Sequence, residues 1–398
     1  MKKLIVFICL LSLISCKNDN NYQLYAKTTL DTLQNWYSVE TGLYETTSWW
    51  NAANALTAII DYSKITGSKD YLHVIDNSFE KCKEFEVEMP DPNNNWICKN
   101  FINDYYDDEG WWILAWIKAY ELTKNEKYLK MARITFSDMA LGWDNICGGG
   151  IYWKKPNIGK SAVQNELFLL AAIRLHQKGE RQVLGKSYMD WALITYSWFI
   201  SSGMINEKYL IENGLDKNCK LNKGNFHTYN QGIILSGLVE FYKVKNDKSF
   251  LDLAHKIANA TLTNLIYDNG VLKDPKEPNL NGDASQFKGI FMRNLGFLYS
   301  ISPKKEYKEF ILKNANSIWS NARNKKTNEI ITAGLYAFRN KKLKSAASSI
   351  RQNRDTKTAA LSFGIPSGFI FLLLFLPSVC CFGASSIQGL VVLVPYFL

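Results

Sequence analysis

Histidine is scarce in this chain, with four in 398 residues. His73, His176 and His255 fall inside helical stretches, and His227 is the one in a polar loop where a ligand could touch it. Catalysis built on a histidine base is therefore a poor fit. No Gly-x-Ser-x-Gly turn occurs, which excludes the nucleophile elbow of an α/β-hydrolase. No Gly-x-Gly-x-x-Gly follows a strand pattern, so a dinucleotide cofactor is not indicated. The run Cys147-Gly148-Gly149-Gly150 lacks the Lys-Ser/Thr ending of a phosphate loop. The eight cysteines (Cys9, Cys16, Cys82, Cys98, Cys147, Cys219, Cys380 and Cys381) form no Cys-x-x-Cys and have no paired histidines, which argues against zinc. Cys82 and Cys98 could bridge, but buried free thiols fit equally well. Charge of either sign is absent after Lys357.

Aromatics are abundant instead: 12 Trp, 21 Tyr and 21 Phe, or 14% of the chain. Hydrophobic residues at 47% and charged ones at 21% describe a folded protein with enough apolar surface for one large core. Lys and Arg outnumber Asp and Glu by 47 to 37, but the lysines are dispersed, so no nucleic-acid partner is expected.

The two ends read as separate from the fold. Met1-Lys2-Lys3 followed by an apolar stretch to Ile14 is a secretory signal, too short to span a membrane as a helix. Leu13-Ile14-Ser15-Cys16 resembles a bacterial lipobox, which makes Cys16 the expected lipidation site and first mature residue, with an ordinary signal peptide as the alternative. The expected organisation is a signal at 1–15, a tether at 16–24, one domain at 25–364 and an apolar tail at 365–398. Pro366, Pro377 and Pro395 interrupt the tail. A broken membrane segment, a corrupted or read-through terminus, and a buried closing helix all stay open for it. The placement implied is export, with a lipid anchor in the bacterial outer membrane at the cell surface.

Between the ends the chain repeats a pair of helices. Apolar spacing of three and four marks Trp49–Ile65, Trp111–Leu122, Leu167–Leu175, Ile233–Phe241 and Phe291–Ile301, rich in small and aromatic residues as helices buried on most sides are. Amphipathic stretches alternate with them: Tyr22–Trp36, Tyr71–Phe85, Tyr128–Met139, Met189–Ile200, Phe250–Leu265 and Tyr307–Trp319. This predicts an all-α fold of helical hairpins closing into an (α/α)6 toroid, with an open solenoid as the alternative. Five pairs are complete, and Thr356–Phe363 is the candidate for the sixth inner helix. In the closed form the loops before the inner helices converge on one end.

One such loop is the densest cluster of chemistry in the chain: Asn103-Asp104-Tyr105-Tyr106-Asp107-Asp108-Glu109-Gly110-Trp111-Trp112. Asp107 or Asp108 is placed to cap the next helix, whose dipole favours an anion by ~0.3–1 kcal/mol. The neighbouring charge opposes ionisation of both. One carboxylate can thus stay ionised while the other keeps a proton, the division of labour a glycosidase needs. Adjacent side chains could meet the ~5–5.5 Å separation of a retaining pair more easily than the ~6.5–9.5 Å of an inverting one. An acidic cap followed by a packed Trp stripe explains the same letters, and a calcium or magnesium site is a third reading without EF-hand support. Trp49, Asn51, Tyr106, Trp153, Asn165, Tyr229, Asn230, Gln231, Phe287 and Lys288 recur at the same end of successive hairpins. Flat rings for pyranose C–H faces and amides for hydroxyls suit a sugar.

Tyr105–Trp112 resembles the signature of glycoside hydrolase family 76, the endo-α-1,6-mannanases. Gly148–Trp153, Asn165-Glu166-Leu167, Thr228–Gly232 and Phe287–Phe291 resemble further segments of that family, in the family's order over roughly residues 25–320. The resemblance implies an (α/α)6 fold and a retaining double displacement, with Asp107 as nucleophile and Asp108 as acid/base. It implies no metal or organic cofactor, and α-1,6-mannan polysaccharide or oligosaccharide as substrate; the lipobox suits a membrane-anchored lipoprotein that degrades such a glycan at the cell surface. The family's closing segment is hard to find after about Thr332. A non-catalytic surface glycan-binding lipoprotein, or a helical-toroid glycosidase with another substrate, are the competing readings.

Overall fold

Burial alternates from helix to helix along the chain. A computed structural model describes residues 21–44, 49–88, 95–278 and 283–328. The signal, Cys16, Thr356–Phe363 and the 365–398 tail lie outside the described residues. Eleven α-helices follow one another among those residues. The inner set is α2 (Trp49–Thr66), α4 (Tyr106–Thr123), α6 (Ala162–His176), α8 (Thr228–Lys245) and α10 (Ala284–Ile301). α8 shows the type: from Thr228 to Phe241 every residue but Tyr229 is buried. The outer set is α1 (21–34), α3 (Leu72–Cys82), α5 (Glu126–Met139), α7 (Tyr188–Ser201), α9 (Lys248–Asn264) and α11 (Lys305–Asn321). α9 buries a single stripe, Phe250, Ala254, Ile257, Ala258 and Thr261, at helical spacing.

Each inner helix packs on the next, α2 on α4, α4 on α6, α6 on α8 and α8 on α10. Glycine permits the closest approaches. A Cβ on Gly232 of α8 would sit 2.6 Å from the Cα of Phe291 in α10, so this pair of backbones needs the bare residue. The row then returns on itself. Arg293 of α10 donates to Asn54 of α2 at 2.9 Å. In the outer layer Tyr25 of α1 stacks on Trp319 of α11 with centroids 3.8 Å apart, and the Tyr22 hydroxyl donates to Asn316 at 3.1 Å. These contacts close the helices into a toroid of five complete hairpins plus α11, as the periodicity predicts. Because an outer helix returns the chain after every inner one, the inner N-termini share one end.

Short antiparallel strands not foreseen from the helical period lie between the helices: β1 (Glu84–Glu88) with β2 (Asn95–Lys99), β3 (Lys160–Ser161) with β6 (Gly214–Leu215), and β4 (Gln182–Val183) with β5 (Lys186–Ser187). The cysteines also pair otherwise than considered. Cys147 is bonded to Cys219, across 72 residues, while Cys82 is a buried thiol outside any disulfide, its Sγ donating to the Thr41 carbonyl. No described helix is long and apolar enough to cross a membrane.

Candidate active site

The carboxylate pair sits where the chain turns into α4. Asn103 organises the turn: its Oδ1 accepts from the Tyr105 amide at 2.8 Å, and its Nδ2 donates to Asp108 Oδ2 at 2.7 Å. Tyr105, with extended backbone, is the N-cap residue and offers no side-chain cap. The capping role expected for Asp107 or Asp108 is thus corrected: both lie within the first turn, where free amides and the dipole still favour an anion.

Trp153 is the second support. The Tyr106 amide donates to the Trp153 carbonyl at 3.0 Å, and the Lys155 amide to the Asp104 carbonyl at 2.8 Å. This stitching holds the 153–159 turn against the start of α4 and aims the Trp153 indole N–H at Asp107 Oδ2, 3.0 Å away. The Tyr105 ring meets Trp153 edge-on at 4.9 Å. Glu109 is instead fully buried and bonded to Lys155 at 2.8 Å, with Asp138 on the same ammonium at 2.6 Å. It belongs to the scaffold.

The two aspartates differ electrostatically. Burial pushes Asp107 up to about 7, against the pull of the Trp153 indole and the backbone amides of Asp107 and Asp108. Burial and then the Asp107 charge push Asp108 well above the ordinary carboxylate range, with only the Asn103 bond opposing. The first anion of the pair therefore settles on Asp107, and the proton on Asp108.

Further residues reach this spot from other hairpins. Asp283, at the entry of α10, accepts from the Trp50 indole at 2.8 Å, and its charge bears on both aspartates. Trp50 stacks on Trp111 at 5.6 Å. Tyr229, half-buried at the start of α8, lies 4.0 Å from the Phe287 ring and 5.9 Å from His227. Burial, then the negative charge of Asp107, hold its hydroxyl neutral.

Of the ten residues expected to bind sugar, Trp153, Tyr229 and Phe287 come together around the pair. The others are turned inward. Trp49 packs on Phe101 and Trp112 in the core, and Asn51 is buried. Tyr106 is buried with its ring against Gly142 and under Lys155. Asn165 ties the Ile151 amide and carbonyl, Gln231 ties those of Ile211, and Asn230 is buried beside Asn213. Lys288 is ion-paired with Glu277 and bonded to the Leu272 carbonyl. These polar side chains satisfy backbone groups of the loops that shape the site. The Gly148–Gly150 run is likewise structural: a Cβ on Gly150 would lie 2.5 Å from the Trp198 ring. Asp283, Trp50 and Asn103 are the members absent from the expected set. An acidic residue opening an inner helix, as at α4, was the available signal for Asp283.

Glu166 is fully buried near the start of α6, just past its first turn, and neither carboxyl oxygen has a partner among the described residues. Burial alone raises its pKa well above the ordinary value. A carboxyl whose folded pKa is raised adds stability below its unfolded pKa and loses it as pH rises through the folded one. Glu166→Gln should therefore flatten the fall in melting temperature as pH rises above the ordinary carboxylate range, measured by calorimetry. A steeper fall would contradict the neutral form. Among the described residues no three His, Cys, Asp or Glu side chains converge as metal ligands.

Solved structures with this fold include the α-1,6-mannanase of a Salegentibacter species, 21% identical with TM-score 0.70, covering 90% of this chain and 99% of that one. A variant of that enzyme, inactive with two consecutive aspartates replaced, has been solved with an α-1,6-linked mannotetraose. A protein from Listeria innocua is 22% identical, with TM-score 0.68 over 89% of this chain and 96% of that one. By sequence, the mannan endo-1,6-α-mannosidases of Candida glabrata and Saccharomyces cerevisiae are each 27% identical over 64% of this chain, which spans 59% of their length. Residues 20–354 match the family Glycosyl hydrolase family 76, and the chain belongs to that family.

Proposed function

We propose that this protein is a retaining, endo-acting glycoside hydrolase that cleaves α-1,6-mannosidic linkages in mannan. The observation that carries the reading is the consecutive pair Asp107 and Asp108, one held by an indole N–H and the first of the two to ionise, its neighbour pushed further toward the acid. The activities named for the family relatives supply the substrate class.

In the first step the Asp107 carboxylate attacks the anomeric carbon. The bond to the leaving sugar breaks as Asp108 passes its proton to the glycosidic oxygen. In the second step Asp108, now a carboxylate, takes a proton from water. The hydroxide oxygen attacks the same carbon, the ester bond to Asp107 breaks, and both carboxyls return to their starting forms. Two inversions leave the configuration retained. Trp153, Tyr229 and Phe287 offer the aromatic surface against which a pyranose ring packs.

Proton NMR of linear α-1,6-mannan early in digestion is the test. The α-anomer should appear first at the new reducing end. The β-anomer first would refute the retaining mechanism, and tight binding with no new reducing ends would favour the glycan-binding reading.

We further infer that the chain acts outside the cytoplasm, lipid-anchored through Cys16 to the outer membrane. The Cys147–Cys219 bond supports this, since structural disulfides persist in oxidising compartments. Cys16→Ser should move the protein from the membrane fraction to the soluble one, and retention in the membrane would refute the anchor.

A further inference from the structure

At the end of the toroid opposite the carboxylate pair, the axis holds a cavity of about 410 Å³. Every inner helix contributes to its wall. Its lining carries six cations: Lys64 from α2, Lys118 from α4, Arg174 and Lys178 from α6 and just beyond it, Lys243 from α8 and Arg293 from α10. Three carboxylates face them, and each is already engaged. Asp61 takes both its oxygens to Lys118, at 2.6 and 2.7 Å. Glu121 is shared by Lys64 at 3.2 Å and Lys178 at 2.8 Å. Glu240 is shared by Arg174 at 3.1 Å and Lys243 at 2.8 Å.

Basic residues in a helix's last turn ordinarily answer the terminal carbonyls, and Lys64, Arg174 and Lys243 fit that explanation. Lys118 and Arg293 do not, because they lie more than a turn inside α4 and α10. Arg174 bonds Glu240 through Nε, and its two Nη groups have no hydrogen-bond partner among the described residues. The cations also strain against one another. Burial, with repulsion from Arg174 and Arg293, holds the Lys118 ammonium down to about 8 despite Asp61. A positive excess in a partly enclosed space, with a guanidinium that packs over the Phe297 ring and leaves its Nη groups without an acceptor among the described residues, suits a multiply charged anion.

We propose that this axial cavity is a second ligand site, one that takes a small polyanion bearing phosphate or carboxylate groups, with the Arg174 fork and Lys118 as its principal contacts. The proposal is independent of the mannan reading, since no residue of the carboxylate pair lines the cavity.

Calorimetric titration of the full chain with inorganic pyrophosphate and, separately, with citrate tests it, at matched ionic strength with chloride as control. One saturable site per chain and a raised melting temperature are expected. Binding of pyrophosphate alone would assign a phosphate ligand, and binding of both a general polyanion. Arg174→Gln should weaken binding about tenfold or more. Arg174→Lys keeps the charge without the fork and should lose less, which guards against misreading an unfolded Gln variant. No saturable heat with either anion, or equal affinity in wild type and both Arg174 variants, would overturn the proposal.

Discussion

Asp107→Asn should lower turnover of α-1,6-mannan by roughly 10⁴-fold or more while leaving the fold intact. The amide keeps the size of the side chain and can still accept from the Trp153 indole, but it cannot form the glycosyl ester. Stability should move the other way. With a folded pKa near 7, well above the ordinary carboxylate value, Asp107 adds stability at low pH that is lost as pH rises through about 7. The Asn variant should therefore melt higher than wild type at pH 8, by a margin that shrinks as pH falls toward the ordinary carboxylate value. Asp108→Asn should behave differently: severe loss on mannan, near-normal attack on a mannoside whose leaving group needs no proton. The wild-type rate should fall below about pH 7, as Asp107 takes a proton, and again at higher pH as Asp108 loses one, and Asp108→Asn should abolish the upper limb. Steady-state kinetics across pH on both substrates reads all of this. Mannan cleavage by Asp107→Asn at the wild-type rate would remove the nucleophile from the scheme.

Converting Cys147 and Cys219 together to serine should cost about 4 kcal/mol, the chain-entropy value for a loop closed across 72 residues. The closed loop contains Trp153, all of α6 and α7, and the approach to α8. Losing the bond frees in the unfolded state a segment that builds much of the site. Denaturant unfolding should show a lower midpoint for the double variant, and reductant should lower the wild-type midpoint but not the variant's. Equal midpoints for the two proteins would mean that the cross-link adds nothing to packing already complete.

The helices were plain in the letters because burial on most sides and burial on one side leave different residue patterns. α8 and α9 show both, within a few residues of the stretches expected. The site was less legible. Asn165, Gln231 and Lys288 share with Tyr229 and Phe287 a place in the opening turns of inner helices, and their polar atoms suit a sugar. At ~100° of rotation per residue, neighbours in one turn point to opposite destinations, and only packing decides which reaches the open end. Asp283 escaped notice because its partner, Trp50, is 233 residues away. The cysteine pairing escaped for the same reason, since spacing alone does not fix connectivity.

Tyr25 on Trp319 and Asn54 on Arg293 mark the seam where the ring closes. The first helices meet their last neighbours across 294 residues at Tyr22 and Asn316, so the seam rests on contacts of long sequence separation. Trp50 and Asp283 clasp across that same seam, beside the carboxylate pair. Any opening of that clasp would carry the Asp283 charge, which bears on both aspartates, out of their surroundings.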